Sequence, residues 1–429
     1  MSTLPQLLIE RAKAMPNVVA WRQFRLGVWN ENTWASAHAE AAAIGSGLAA
    51  LGMQKGDVVA VLAGNSVTAI SSEIGAQGIG CVVAVLSSEL APSTVRSVLS
   101  LIHAKAVIVG DQEQFDKVQD ANVASVQSTV VLDARGFRHI EVAGRPDAER
   151  VLTIEQLKNR SGNASDWDAR VERLLGSEPS TILCFVNRKS SEVEAHRFSH
   201  DEVIRSAETL RNEAEATSAD TVAVQTSLAD PIEHTLSVVG PLVIGLGVNI
   251  GQTGLATQSM RQVQPSLVAL NGAWLNGIAV DVERRVSGGR GLKGFAARKA
   301  LSSPPNLLTT PLKIAKLSRT RLVGLGALLL SFVFLLFSVS LNDFVRLLVV
   351  AAIALAAALI TVVTGWSVTS SARRGLGLSR TRAILNGGAL DTETTPAVAS
   401  LLGSLSVPVV AVSAAAGEVL GHVRSEVLA

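Results

Sequence analysis

Two uninterrupted apolar runs, only five residues apart, constrain this chain more than any other feature. Leu322–Leu341 reads LVGLGALLLSFVFLLFSVSL and Leu347–Trp366 reads LLVVAAIALAAALITVVTGW, and neither holds a charge. Each run is about 20 residues, which at ~1.5 Å rise per residue matches the roughly 30 Å hydrocarbon layer of a bilayer. Helices of that length in soluble proteins carry a polar stripe, and none is present here. The pattern therefore predicts a transmembrane helical hairpin that turns through Asn342-Asp343-Phe344-Val345-Arg346. Lys313, Lys316, Arg319 and Arg321 precede the first run, and Arg373, Arg374, Arg380 and Arg382 follow the second. The charges of Asp343 and Arg346 in the turn cancel. The positive-inside rule then puts both flanks in the cytoplasm. The expected location is the inner (cytoplasmic) membrane, with two spans and with the soluble bulk and both termini cytoplasmic. A shallow re-entrant hairpin fits the same residues. Gly324, Gly326 and the alanines between Ala351 and Ala358 offer close-packing faces. They predict membrane lipid and the helices of another membrane protein as partners.

The remainder has few other extremes. A chain of 429 residues is long enough for two or three lobes. Net charge is +2, with both signs interspersed, so there is no dense basic face and no nucleic-acid partner is expected. Cys81 and Cys184 sit in apolar, strand-like runs and read as buried thiols. The histidines show no ligand spacing, and no metal site is expected. Met1–Met15 carries Glu10, Arg11 and Lys13 within its apolar pattern. It reads as an amphipathic helix with Leu4, Leu7, Leu8 and Ala12 on one face, not as a secretory signal.

Between the termini and the hairpin the pattern alternates. A helical stretch from about residue 35 stops at Gly52. The apolar run Val58–Leu62 follows, then a helix containing Ile70 and Ile74, then the apolar run Gly80–Leu86. A helix near Thr94–Ile102 leads to Ala106–Val109, and further strands are expected at Thr129–Leu132, Thr181–Val186 and Thr221–Gln225. All-apolar strands alternating with amphipathic helices predict an α/β fold with parallel sheets covered on both faces. The expected divisions are an α/β subdomain over 1–175, a second over 176–318, the hairpin over 319–370, and the rest of the second subdomain over 371–429. No self-contained catalytic motif stands out. Ser287–Gly294 lacks the spacing and the final Ser or Thr of a phosphate loop and reads as a basic linker. Gly245-Leu246-Gly247 reads as a turn, and Glu73 and Glu155 have no partner visible in sequence.

The order of segments resembles the AMP-forming acyl-CoA synthetases, specifically the long-chain type. Leu26-Gly27-Val28-Trp29, Thr33-Trp34, Gly47–Gly52 and Lys55-Gly56-Asp57 are similar to that family's opening. Gly110–Lys117 resembles a family loop and helix, and Leu376–Ser379 with Asn386-Gly387-Gly388-Ala389 resembles the strand before its Gly-Gly-Ala turn. The resemblance implies the large N-terminal lobe of the adenylate-forming fold, with the membrane hairpin inserted where the long-chain type often carries a helical segment.

The family's working parts do not match. Its phosphate loop reads roughly Thr-Ser-Gly-Thr-Thr-Gly-x-Pro-Lys-Gly before Leu-Thr-His. Anchored on Phe198-Ser199-His200, the same stretch here is Val186-Asn187-Arg188-Lys189-Ser190-Ser191-Glu192-Val193-Glu194-Ala195. The glycines that let backbone amides approach phosphate are gone. Glu194 stands at the lysine position, and two like charges about 4 Å apart repel by roughly 4 kcal/mol at an effective dielectric near 20. The adenine-proximal Tyr-Gly-x-Thr-Glu run falls on Ser413–Gly417, so Gly417, after Ala416, replaces the magnesium-holding glutamate; a local gap would instead bring in Glu418. Asp230 replaces the histidine of Leu-Pro-Leu-Ala-His, and the family's C-terminal lid has no counterpart before Ala429. The resemblance thus implies a vestigial phosphate loop (Val186 to Ser191, with Glu194), a vestigial nucleotide or acyl pocket (Asn386, Gly387, Gly388, Ala389, Ala416, Gly417), no catalytic residue and no cofactor. Three functions fit: an inactive, membrane-anchored structural or regulatory subunit, which is preferred; an active ligase with altered nucleotide binding; and a module that binds an acyl chain or acyl-CoA.

Overall fold

A computed structural model describes residues 2–136, 151–160, 164–186, 193–251, 256–269, 378–386 and 409–411. The chain divides into two units, one made of Met1–Asn271, Arg380–Ala389 and Val410–Ala429, the other of Gly272–Ser379 and Leu390–Val409. Nearly all the described elements belong to the first. Among the described residues no helix is long and apolar enough to cross a membrane. Both apolar runs, Leu322–Leu341 and Leu347–Trp366, lie outside the described residues, as does Ser287–Gly294.

The strands are β1 (Val19–Arg25), β2 (Val28–Thr33), β3 (Val58–Ala63), β4 (Val82–Ser87), β5 (Ala106–Val109), β6 (Ser128–Val131), β7 (Val151–Thr153), β8 (Pro179–Val186), β9 (Val193–Ser199), β10 (Thr221–Val224), β11 (Gly247–Ile250), β12 (Leu267–Ala269), β13 (Ala383–Asn386) and β14 (Val409–Ala411). They form two seven-stranded sheets, ordered β7-β6-β5-β3-β4-β8-β9 and β14-β13-β12-β10-β11-β1-β2. The first is parallel from β7 to β8 and ends in the antiparallel hairpin β8–β9. The second is parallel across β13, β12, β10, β11 and β1 and ends in the antiparallel hairpin β1–β2. That hairpin turns through Leu26 and Gly27, both at positive φ (53° and 85°).

The helices are α1 (Leu4–Ala14), α2 (Trp34–Ala50), α3 (Val67–Gly78), α4 (Pro92–Leu101), α5 (Gln112–Ala121), α6 (Ile154–Lys158), α7 (Ala164–Val171), α8 (His200–Glu213), α9 (Pro231–His234), α10 (Gly240–Val243) and α11 (Ala256–Val263). The expected strands from Val58 to Val109, at Thr129 and at Thr221, the helices of residues 35–51 and 94–102, and the N-terminal helix all form within a few residues of their expected limits. All-apolar β3 is buried along its whole length because it is covered on both faces. Its side chains divide by the two-residue period. Val59 and Val61 join the core shared with the second sheet, while Ala60 and Leu62 join a separate core under α4 and α5.

The shared core is built around α3. Ser66 caps its start, its side chain accepting from the Ala69 amide, and every residue of the helix except Thr68 is buried. A helix enclosed on all sides needs small residues where neighbours approach. A Cβ on Gly45 or Gly78 would overlap the Trp167 ring, and the Trp167 Nε1–H donates to Gly75 O at 3.0 Å. Polar pairing accompanies the packing elsewhere. Between α9 and α10 lies one π-helical turn, Thr235–Val239. Pro241 has no amide to offer the carbonyl four residues back, and the Trp21 Nε1–H supplies that bond to Ser237 O at 2.8 Å. Arg11 reaches from α1 to the carbonyls of Leu242 and Val243 at 3.0 and 3.3 Å, so the end of α10 is closed by a cation.

Replacing Gly78 by Ala should therefore cost about 1–3 kcal/mol or more, since the Trp167 ring must move. Gly64→Ala, where an added Cβ meets nothing within 4 Å, should be near neutral. Urea unfolding of the two variants measures the difference.

Candidate functional site

In a parallel sheet the loops after the carboxyl ends of the strands form the binding edge. Asn65, just after β3, joins the two sheets at that edge. Its Nδ2–H donates to Thr226 O at 2.6 Å, and its Oδ1 accepts from the Leu228 amide at 3.0 Å, so it holds the segment that leaves β10. Beside it the Val67 amide donates to Gln23 Oε1 of β1 at 3.1 Å. Arg25, ending β1, pairs with Asp133 just after β6 at 3.5 Å. These contacts define a seam where carboxyl ends from both sheets meet.

The sequence-predicted residues fall on this edge in part. Val186 ends β8, opposite Val193, and the connection from β8 to β9 leaves at the carboxyl edge. Glu194 lies opposite Phe185 on the edge strand β9. Its side chain is 70% exposed and sits 3.6 Å from His196 Nε2. Asn386 ends β13, at the carboxyl edge of the other sheet. Asn187, Arg188, Lys189, Ser190 and Ser191 lie outside the described residues, as do Gly387, Gly388, Ala389, Ala416 and Gly417. No group of three or more His, Cys, Asp or Glu among the described residues is placed to hold a metal ion.

Two positions that anchored the alignment have structural work. Ser199 caps α8 in a reciprocal capping box with Glu202, which explains the Ser-His-x-Glu pattern after the hairpin. The His200 Nδ1 accepts from the Leu4 amide at 3.3 Å, fastening α1, and burial pushes its ring down to about 4. Asp230 is the N-cap of α9. Its Oδ1 accepts from the amides of Ile232 and Glu233 at 3.0 and 3.2 Å, with Pro231 at the first helical position.

Sequence reasoning missed three features. Glu73 is not isolated, since its Oε1 meets His234 Nε2 at 2.8 Å and accepts from Gln77 Nε2 at 3.2 Å, all three being buried. Glu233 is fully buried and receives the amides of Gln225 and Thr226 and the hydroxyls of Thr226 and Ser237. The third is the strap that brings β13 back to the sheet. Arg382 makes two bonds to Asp220, at 2.8 and 2.6 Å, and also donates to the carbonyls of Ala214 and Glu215. Partial burial pushes the Asp220 carboxyl up, but hydrogen bonds from Arg382, Ser266 and Thr217 outweigh it and hold it well below the usual carboxylate range. Of the two cysteines expected to be buried thiols, Cys81 is buried and Cys184 is half-buried. Burial pushes the Cys81 and Cys184 thiols up to about 12, which leaves them as unreactive thiols at neutral pH.

Residues 8–171 match the sequence model of a family described as AMP-binding enzyme. The sequence matches no curated protein. Among solved structures, the inhibitor-bound N-terminal domain of FACL13 from Mycobacterium tuberculosis aligns with a TM-score of 0.51 at 20% identity, over 65% of this chain and 65% of that one. The described part has the fold of the N-terminal domain of adenylate-forming ligases. A benzoate CoA ligase from Burkholderia xenovorans aligns with a TM-score of 0.54 at 15% identity, over 65% of this chain and 52% of that one. A fatty acyl CoA synthetase from M. tuberculosis aligns with a TM-score of 0.50 at 20% identity, over 64% and 50%. The matched part thus spans less than two thirds of each of these relatives.

His200 gives this adenylate-forming fold a specific acid sensitivity. In the unfolded chain its imidazole titrates near ~6.5, whereas in the fold it titrates at about 4. The folded state binds fewer protons between those values, so stability is present above the upper one and falls as pH drops through the window. The loss should reach roughly 3 kcal/mol. His200→Gln, which keeps an acceptor for the Leu4 amide, should flatten that part of a stability-against-pH curve.

Proposed function

We propose that this chain is an acyl-CoA synthetase-like protein of the long-chain type that has lost adenylation and serves as a membrane-anchored structural or regulatory subunit. The observation that carries this reading is at the β8–β9 hairpin. The residue aligned with the phosphate-loop lysine is a glutamate, and its side chain stands exposed at the start of the strand after the loop. Adenylation needs the triphosphate neutralised and held in line by preorganised donors. A carboxylate there opposes the phosphates, and the sequence of the connection, Asn187 to Glu192, offers no glycine. The use of Asp230 as a helix cap supports the same reading, because a residue that closes α9 is not free to act on an acyl substrate. The runs Leu322–Leu341 and Leu347–Trp366 support anchoring, with lipid and the helices of another membrane protein as the expected neighbours.

On this reading the purified full chain catalyses no fatty-acid-dependent ATP–pyrophosphate exchange, and Glu194→Lys alone does not confer it. In cells the protein stays with the membrane fraction after alkaline carbonate washing, and deleting residues 322–366 releases it. Exchange above background contradicts the inactive assignment, and release of the intact chain by carbonate contradicts the anchor.

A further inference from the structure

Glu233 is the most thoroughly enclosed ionisable group described, with none of its surface exposed. Its Oε2 accepts from the Gln225 amide, the Thr226 amide and the Thr226 hydroxyl, each at 3.0 Å. Its Oε1 accepts from the Ser237 hydroxyl at 2.7 Å. Among the described residues no cation pairs with it. Gln225 and Thr226 begin the same segment that Asn65 grips through Thr226 O and the Leu228 amide. One carboxyl therefore fixes the start of the loop that runs along the seam to Asp230. We propose that Glu233 is a proton-controlled latch, holding the Gln225–Asp230 segment closed while it carries a proton and releasing it when the proton leaves.

The chemistry of the four contacts allows both states. A protonated carboxyl keeps Oε2 as acceptor for the three groups of Gln225 and Thr226 and turns its own O–H toward the Ser237 hydroxyl, which reverses its role. The ionised form retains every donor but is a buried anion with no cation beside it, and burial is the largest influence on it, pushing its carboxyl up to about 7. Once the loop opens and water reaches the group, it titrates near ~4.3. The closed state thus binds more protons between those two values, and raising pH from ~4.3 toward about 7 favours opening. With one proton linked, the opening constant rises up to about tenfold per pH unit between roughly 4.3 and 7 and levels off above that.

The other titratable groups around it are few. His234 is next in sequence and engages Glu73 of α3 at 2.8 Å. Asp230 caps the same helix, and His200 lies on the buried face of α8. β10 and the π-helical turn contribute no titratable side chain. The latch does not depend on whether the chain adenylates, since it follows from the surroundings of Glu233 alone.

Hydrogen exchange of the Gln225 and Thr226 amides in the full-length protein, corrected for intrinsic rates, tests it. Their protection should fall up to about tenfold per pH unit between roughly pH 5 and 7 and level off above that. Glu233→Gln imitates the protonated acid, its amide donating to Ser237 and its oxygen accepting from the loop, and should hold protection flat. Infrared titration of the wild-type protein gives a reading that needs no variant. A protonated-carboxyl band present near pH 6 should vanish as pH passes about 7, where the fall in protection levels off. Flat protection in the wild type, or the same slope in Glu233→Gln, overturns the proposal. The second result would move the pH dependence to the Glu73–His234 pair, which that variant leaves in place. A carboxyl ionised throughout the range overturns it as well.

Discussion

The enclosure of α3 sets the terms for the rest of the described unit. A helix buried on every side has no solvent to satisfy its polar groups and no room for bulk where neighbours cross. Trp167 therefore fits against glycines, and the buried polar side chains, Glu73 and Gln77 the longest among them, must find partners in the protein. Those partners come from different elements. His234 ends α9 in the part of the chain that serves one sheet, while Ser180 and Thr181 lie in β8 of the other. The helix is thus a joint as well as a filler. Removing one member of such a buried pair leaves an uncompensated group and costs about 3–5 kcal/mol.

The same economy governs the seam at the carboxyl ends. Polar side chains at this edge are turned toward the protein. Asn65 is occupied by the Thr226–Leu228 backbone, Asp230 by the start of α9, and Glu233 by the Gln225–Thr226 amides. His200 fastens α1, so a familiar anchor of the alignment persists for a structural reason.

Much of this fold was legible in the residues themselves. β3, β4 and β5 are all-apolar and short, which left a buried parallel strand as the natural reading. α1 and α4 display one apolar face each. The hairpin β1–β2 was not foreseen, because VAWRQFR and VWNENT mix charge with aromatics and turn through Leu26 rather than an Asn or Gly at that position. β9 was missed for a related reason. VEAHRFS is a half-exposed edge strand, and its pairing with β8 is antiparallel where a parallel sheet was expected. The candidate site was harder still. Glu73 and His234 are 161 positions apart, and only the enclosure of α3 brings them to 2.8 Å. The resemblance pointed to the hairpin and to Asp230, but the burial of Glu233 has no local signature, since an acidic residue at the start of a helix usually faces solvent.

The account stands or falls on what the β8–β9 connection does with a triphosphate. An experimental map of the full-length protein, prepared with millimolar ATP and magnesium, is the most direct measurement. The account predicts an empty carboxyl edge at that hairpin. Density for a triphosphate seated against residues 187–192, with magnesium alongside, would contradict it.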